Sequence, residues 1–281
     1  MEEIAEVESP LTPTEEALRG ITGRVVTAAI IADAPGVISG SAAVAEAAQE
    51  LGLGMEMMAE EGSEVSQGEE VTRFTGTPAQ MVQADGRLIG ALAKTSGIAT
   101  SARDFVKAAG KKPRVVCGAW SRMPPADQEA VRRAVVAGGA DHSITEKPHV
   151  YLDVNLIEMI GGIRESIEAV SRLASGRTIV VQVKGRHSSV AREALEAAEC
   201  GAGIVFIDTG ANLDFMEAAF ELDRAGLRRK VKIAFGGDLD LKGLRGIKKD
   251  KFGIEIVDVG KSIADAPLLD MHLEIISVQE A

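Results

Sequence analysis

Aromatic side chains are scarce in this chain: one tryptophan, one tyrosine and seven phenylalanines make up 3% of its 281 residues. Hydrophobic residues still amount to 46%, so a core of ordinary size has to be built from Ala, Val, Ile and Leu. That is the composition of helix-covered parallel sheets rather than of β-sandwiches. Cysteine is equally rare. Cys117 and Cys200 are isolated, lack metal-ligand spacing and sit in apolar runs, which points to small buried thiols in a reducing cytoplasm. Positive charge is in deficit, since 31 Lys and Arg against 42 Asp and Glu leave a formal charge of −11. With no basic block and no aromatic-basic interleaving, no nucleic-acid partner is expected, because neutralising phosphates needs clustered cations. No apolar run approaches the ~20 residues that cross a bilayer, and the acidic N-terminus has no basic region followed by an apolar one. Neither a membrane nor a secretory signal is expected.

What is present falls into two styles. Residues 25–31 (VVTAAII) read as a strand, Pro35-Gly36 as a turn, and 41–51 as a helix capped by Ser41 and ended by Gly52. Short strands follow at 55–59 and 71–74, and then a helical stretch over 78–109, broken at Thr95-Ser-Gly97. This is an α+β module occupying residues 1–112. From 113 the pattern becomes a regular alternation. Strands are expected at 114–117, 141–144, 151–154, 178–183, 203–208, 232–235 and 256–259, with helices at 127–137, 163–173, 189–199 and 214–225. Alternation of this kind implies a parallel sheet closing into a compact, incomplete α/β barrel over 113–264, whose functional residues follow the strand ends.

Those ends carry Trp120-Ser-Arg122, His142-Ser143, Asp153 with Asn155, Lys184-Gly-Arg-His187, Asp208-Thr209, Gly236-Gly237 and Gly260-Lys261-Ser262. Glycines on the last two strands let backbone N–H groups face an anion, and Lys261 adds a point charge, although glycine also serves simply to turn the chain. The Gly-Lys-Ser triplet is not a P-loop, because it lacks the earlier glycine. Asp208 is placed to bind Mg²⁺ or to steady a developing positive charge, or to cap the next helix. His142 suits a ligand acid or a structural bond, and Lys184, Arg186 and His187 suit an anion or a solvated loop. Arg122 can grip a carboxylate or phosphate in a fork beside the flat face of Trp120, or be tied to a nearby carboxylate.

The run Asp85-Gly-Arg-Leu-Ile-Gly-Ala-Leu-Ala-Lys-Thr-Ser-Gly-Ile-Ala-Thr100 resembles the helical segment of the quinolinate phosphoribosyltransferase family, the carboxylating nicotinate-nucleotide pyrophosphorylases. Gly36-Val-Ile-Ser-Gly40, Glu60-Glu-Gly-Ser-Glu-Val-Ser-Gln-Gly68, Ala137-Gly-Gly-Ala-Asp-His142, Ile207-Asp208, Phe235-Gly-Gly237 and Val257-Asp-Val-Gly260 extend the likeness in the same order along nearly the whole chain. The resemblance implies an N-terminal α/β sandwich completed by residues 265–281, an incomplete α/β barrel, and a homodimer. It further implies transfer of phosphoribose from phosphoribosyl pyrophosphate to a pyridine nitrogen with Mg²⁺. On this likeness Arg87 matches an arginine lent to the neighbouring subunit, and His142 a histidine at the pyridine carboxylate. Asp208 matches the carboxylate facing ribose and metal, and the two glycine loops match the phosphate site.

The departures concern charge. Where the family carries Asp-Thr-Arg-Lys-Thr this chain has Gly-Ala-Trp-Ser-Arg-Met-Pro-Pro, leaving only Arg122; Ser143 replaces an arginine; Asp153-Val-Asn-Leu156 replaces Lys-Asp-Asn-His; and Gln182 stands where a carboxylate is expected. Three cations and one anion are thus missing. An unpaired buried charge costs several kcal/mol, so the expected acceptor is a heterocyclic acid or base less charged than quinolinate, such as nicotinate. Arg-Met-Pro is also similar to a strand end of the nicotinate phosphoribosyltransferases. The competing expectation is a non-catalytic or regulatory relative that binds a phosphorylated metabolite.

Overall fold

The structure, a computed structural model, describes residues 17–57, 59–172, 176–247 and 253–280; the acidic segment 1–16 lies outside the described residues. The chain forms two compact units, Met1–Ser96 with Leu268–Ala281, and Gly97–Pro267. The division falls inside one helix, whereas the change of sequence style sets it at 112.

In the first unit come β1 (Arg24–Ala32), β2 (Gly36–Val37), α1 (Ser41–Glu50), β3 (Gly54–Met57), β4 (Glu64–Val65) and β5 (Glu70–Gly76). The first part of α2 (Pro78–Ala109) and the C-terminal strand Met271–Glu280 complete it. The C-terminal strand pairs antiparallel with β1, and the sheet continues to β5 and β3. Val44 and Ala48 of α1 and Met81, Ala84, Leu88 and Leu92 of α2 pack on Ala28, Ile30 and Phe74 of that sheet. α2 opens with a capping box: Gln80 Oε1 accepts the Thr77 N–H at 2.7 Å, the Thr77 hydroxyl oxygen accepts the Gln80 N–H at 3.4 Å, and Pro78 fills the first helical position.

The second unit alternates β6 (Arg114–Val116), α3 (Gln128–Ala137), β7 (His149–Leu152), α4 (Val154–Ile160), α5 (Ile163–Ser171), β8 (Thr178–Val183), α6 (Val190–Glu199), β9 (Ile204–Asp208), α7 (Asn212–Arg224), β10 (Lys232–Gly236), α8 (Leu241–Ile247), β11 (Ile256–Asp258) and α9 (Gly260–Ala264). Its strands form one sheet in the order β6-β11-β10-β9-β8-β7, every pair parallel. Side chains alternate between faces with a period of two. Val181, Val183, Val205, Ile207, Ile233, Phe235 and Val257 therefore join a core shared with the helices. Val116, Val180, Ile204, Phe206, Ala234 and Ile256 form a second cluster with Ile144, and no helical residue belongs to it. A sheet face that is buried without helices has curled onto itself, which makes this the inner layer of an open barrel.

Three local expectations are corrected. The helix is not broken at Thr95-Ser-Gly97: α2 runs through, with Thr95 Oγ1 donating to the Ser39 carbonyl at 2.6 Å and lying 3.1 and 3.3 Å from the Leu92 and Ala91 carbonyls. The strand expected at 141–144 shrinks to a single parallel bridge between Val116 and Asp141, and Arg114 ties this segment by its contacts to Asp141 and the Ile144 carbonyl. Ser41 does not cap α1 with its own side chain. The Glu61 carboxylate does so from the chain beyond, accepting the N–H groups of Gly40 and Ser41 at 3.0 Å and the hydroxyls of Ser39 and Ser41 at 2.7 and 2.8 Å. Burial raises the pKa of Glu61, but these hydrogen bonds outweigh it and hold the carboxyl below its ordinary value.

Candidate functional site

The period of two that buries Val180, Ile204, Phe206, Ala234 and Ile256 also aims the next inward positions, Gln182, Asp208, Gly236 and Asp258, at the carboxyl end of the barrel. Asp208 is the best-held of them. Its Oδ2 accepts the Gln182 side-chain N–H at 2.7 Å and pairs with Lys184 Nζ at 2.9 Å. Both contacts fall on one oxygen, which leaves Oδ1 to face a ligand or metal. The amide of Gln182 is fixed as well, because its Oε1 accepts the Val154 N–H at the start of α4, at 3.2 Å. The amide accepts there and donates to Asp208 at once, which an ionised carboxylate in its place could not do. The next helix begins at Asn212 with no side-chain cap, so Asp208 does not cap it.

Lys184 reaches Asp208 because its loop is tied down. Glu193 on α6 is 3% exposed and accepts four backbone N–H groups, from Gly185 at 2.7 Å, His187 at 2.9 Å, Lys184 at 3.2 Å and Ser188 at 3.4 Å. One carboxylate thus fixes the β8–α6 loop. Of its basic cluster, Lys184 turns to Asp208, His187 pairs with Glu158 at 2.8 Å, and Arg186 is exposed.

The glycine loops approach each other closely. The Gly210 N–H donates to the Gly236 carbonyl at 2.9 Å, and a Cβ on Gly237, which has φ +107, would lie 2.4 Å from the Gly210 nitrogen. A Cβ on Gly236 would lie 2.8 Å from the Phe206 ring. Packing alone therefore demands these two glycines, and their bare backbone also leaves the mouth of the barrel clear. Gly260 is different, because a Cβ there would meet only the Ala119 methyl, at 3.5 Å. The Ser262 hydroxyl is spent on the Leu239 carbonyl at 3.0 Å, tying the β10 loop to α9, while the Lys261 side chain is exposed.

On the β6 side, Ala119–Arg122 forms a single 3₁₀ turn. Trp120 donates its indole N–H to the His142 carbonyl at 2.7 Å, and the two rings meet edge to face with centroids 6.3 Å apart. The strand end thereby brings Trp120 and His142 together. Arg122 is exposed, and its charge acts on both Asp258 and Tyr151. Two of the positions that depart in charge have structural uses: Ser143 donates to the Thr145 carbonyl at 3.0 Å, and Asp153 caps α4 by accepting the N–H groups of Asn155 and Leu156 at 2.9 and 2.8 Å. Arg87 belongs to the first unit, where it pairs with Glu50. Cys117 is a buried thiol whose pKa burial pushes up to about 12.

Strand-end reading misses three residues. Asp258 has its carboxyl pKa raised to about 6, first by burial and then by Asp208, against the Gly118 N–H and Arg122. Tyr151 faces inward from β7, and its phenol is raised by burial and by the carboxylates of Asp208, Asp258 and Asp153. Glu193 is the third. Asp258 and Tyr151 thus each feel the charges of Asp208 and Arg122 at one barrel mouth, and among the described residues Asp258 has no cation within ion-pair distance.

Two family descriptions match the chain: "Quinolinate phosphoribosyl transferase, N-terminal domain" over residues 12–96 and "Quinolinate phosphoribosyl transferase, C-terminal domain" over residues 98–274. A protein of Methanothermobacter thermautotrophicus named as a probable carboxylating nicotinate-nucleotide pyrophosphorylase is 27% identical over 271 residues, covering 93% of this chain and 92% of that protein. The nicotinate-nucleotide pyrophosphorylase of Pyrococcus furiosus superposes with a TM-score of 0.82 at 25% identity, over 95% of this chain and 73% of that one. Human nicotinic acid phosphoribosyltransferase shares the fold, with a TM-score of 0.65 at 14% identity over 95% and 74% of the two chains.

Proposed function

We propose, starting from the fact that the chain belongs to the quinolinate phosphoribosyl transferase family, that it moves phosphoribose from phosphoribosyl pyrophosphate to the ring nitrogen of a heterocycle bearing at most one carboxylate. Among pyridine acids this means nicotinate rather than quinolinate. The observation that carries the reading is Asp208, oriented by Lys184 and Gln182 at 2.9 and 2.7 Å beside side-chain-free glycine loops. As the ring nitrogen bonds to the ribose carbon, the bond to pyrophosphate breaks and its electron pair leaves with pyrophosphate. The sugar carbon carries positive charge in between, and a fixed carboxylate nearby stabilises that charge without having to reorganise.

Mg²⁺ takes few protein ligands and several substrate oxygens. Asp208 offers one oxygen, and no group of three or more His, Cys, Asp or Glu among the described residues forms a ready cage. That donor set fits a metal arriving with the pyrophosphate, held by Asp208 and supplying charge neutralisation to the leaving group. Gly237, Gly260 and Lys261 then serve the phosphates. Arg122 grips the single acid of the acceptor, with Trp120 and His142 as the adjoining wall. Ser143 and Asp153, at positions where the family carries cations, are committed to local hydrogen bonds and add no positive charge, which is the reason for excluding a dicarboxylate. The protein works as a homodimer in which Arg87 serves the neighbouring subunit's site.

Gln182 favours a second reading. A neutral amide in place of an acid is what a relative that binds a phosphorylated metabolite without turnover would tolerate. Calorimetry with phosphoribosyl pyrophosphate tests the assignment of roles. Binding should require Mg²⁺, and Arg122→Ala should weaken nicotinate at least tenfold while sparing the donor. Loss of donor binding in Arg122→Ala would reverse the roles.

A further inference from the structure

Asp258 is the acid of the barrel mouth that the proposed reaction does not use. The register sets it in one row with Gly236 and Asp208, on the strands to either side of Gly236. Neighbouring strands stand about 4.8 Å apart, so the two acid-bearing positions are separated by roughly 10 Å. The residue between them has no side chain, and the Phe206 ring beneath it forbids one. The space between the carboxylates is therefore kept open by packing. Asp208 is engaged by Lys184 and Gln182, whereas Asp258 receives one long hydrogen bond, from the Gly118 N–H to Oδ1 at 3.4 Å, and no cation within 4.0 Å among the described residues.

Its neighbours place it on the acceptor side. β11 pairs with β6, Asp258 lies in register with Val116, and the chain then runs through Gly118 to Trp120 and Arg122. Lys184 is on the far side of Asp208, with β8. The groups that act on the Asp258 carboxyl are Asp208, which opposes its charge, and Arg122, which favours it; Tyr151 is the phenol on which the same groups act. Burial raises its pKa, so the carboxyl gives up its proton reluctantly and gains from a hydrogen-bond donor brought by a ligand.

Building on the phosphoribosyl-transfer reading, we propose that Asp258 is a specificity-determining residue of the acceptor pocket: it accepts a hydrogen bond from an N–H or O–H substituent of the heterocycle and rejects a second carboxylate at that place. A donor group completes an acceptor that is otherwise under-used. A carboxylate there would face another carboxylate with no cation between them, and rejection of that kind gives specificity as firmly as a favourable contact does. Nicotinamide, nicotinate and quinolinate probe the three cases, respectively an N–H donor, a lone acid and a second acid.

The test is competitive equilibrium binding of these three compounds to the full-length protein with Mg²⁺ and pyrophosphate present, comparing wild type with Asp258→Asn and Asp258→Ser, each checked for a cooperative thermal transition. In both variants the affinity for quinolinate should rise relative to nicotinamide by at least tenfold, with the donor affinity unchanged. An unchanged ratio overturns the proposal, as does failure of all three to bind the wild type. Loss of phosphoribosyl pyrophosphate affinity without a change in acceptor ranking overturns it too, because Asp258 would then serve the ribose. Pyrophosphate release in the same samples addresses the transfer reaction separately, since the binding ratio is read without turnover.

Discussion

Replacing Gln182 with glutamate changes one atom pair at the centre of the site. In the wild type, the side-chain N–H of Gln182 donates to Asp208 Oδ2 at 2.7 Å. In the variant a carboxylate would lie against a carboxylate, while the Val154 N–H keeps its acceptor. Two charges about 3 Å apart at an effective dielectric of about 20 repel by about 5 kcal/mol, which is a ceiling. The site relieves it by holding a proton, and Lys184 offsets part of it. A rise of about 2 pKa units for the pair corresponds to about 3 kcal/mol. The sign follows from proton linkage. An acid whose pKa is raised on folding makes the folded state bind more protons, so stability falls as pH rises from the unfolded value through the folded one. Urea denaturation of Gln182→Glu should therefore match wild type near pH 4 and fall about 2–3 kcal/mol below it by pH 7.5. An equal deficit at every pH, or none at any, would refute this account of how Asp208 is held.

Asp258→Asn should stabilise the protein at pH 8 by about 3 kcal/mol, because the carboxyl goes from 3.8 unfolded to about 6 folded and its penalty grows as pH rises through that window; urea curves at pH 4 and pH 8 should converge and diverge accordingly. Glu193→Ala leaves four loop N–H groups without their acceptor and should lose about 3 kcal/mol in the same assay, with Glu193→Gln recovering part of it. Gly237→Ala puts a Cβ 2.4 Å from the Gly210 nitrogen and should lower the melting temperature markedly, whereas Gly260→Ala, with only a 3.5 Å methyl contact, should melt like wild type. If the Gly260 loop cradles phosphate, that same Gly260→Ala protein should show weaker pyrophosphate binding by titration calorimetry.

The barrel was legible in the sequence because its strands are short β-branched runs whose alternation has no competing helical period, as in Thr178-Ile-Val-Val-Gln-Val183. Its weakest strand was not. Residues 141–144 carry the right alternation, but side-chain bonds from Arg114 hold them, and a single bridge is all that forms. The break expected at Thr95-Ser-Gly97 follows from local propensity, which tertiary context overrides through the Ser39 carbonyl. Asp208 and Lys184 were visible as polar residues at strand ends. Asp258 carried the same signal, since it lies two residues after the inward Ile256, but glycine spacing draws attention to Gly260 beyond it. Glu193 carried none. In Val190-Ala-Arg-Glu-Ala-Leu-Glu it reads as one more helix acid, and only the folding of the loop over it sets it apart.

The charge of the barrel mouth is the central claim, and pyrophosphate release with Mg²⁺ and saturating phosphoribosyl pyrophosphate measures it most directly. The account predicts that nicotinate supports release with a kcat/KM at least a hundredfold above that of quinolinate. Equal or better use of quinolinate would contradict it, because a mouth in which Ser143 and Asp153 stand where the family carries cations would then be serving a dianion.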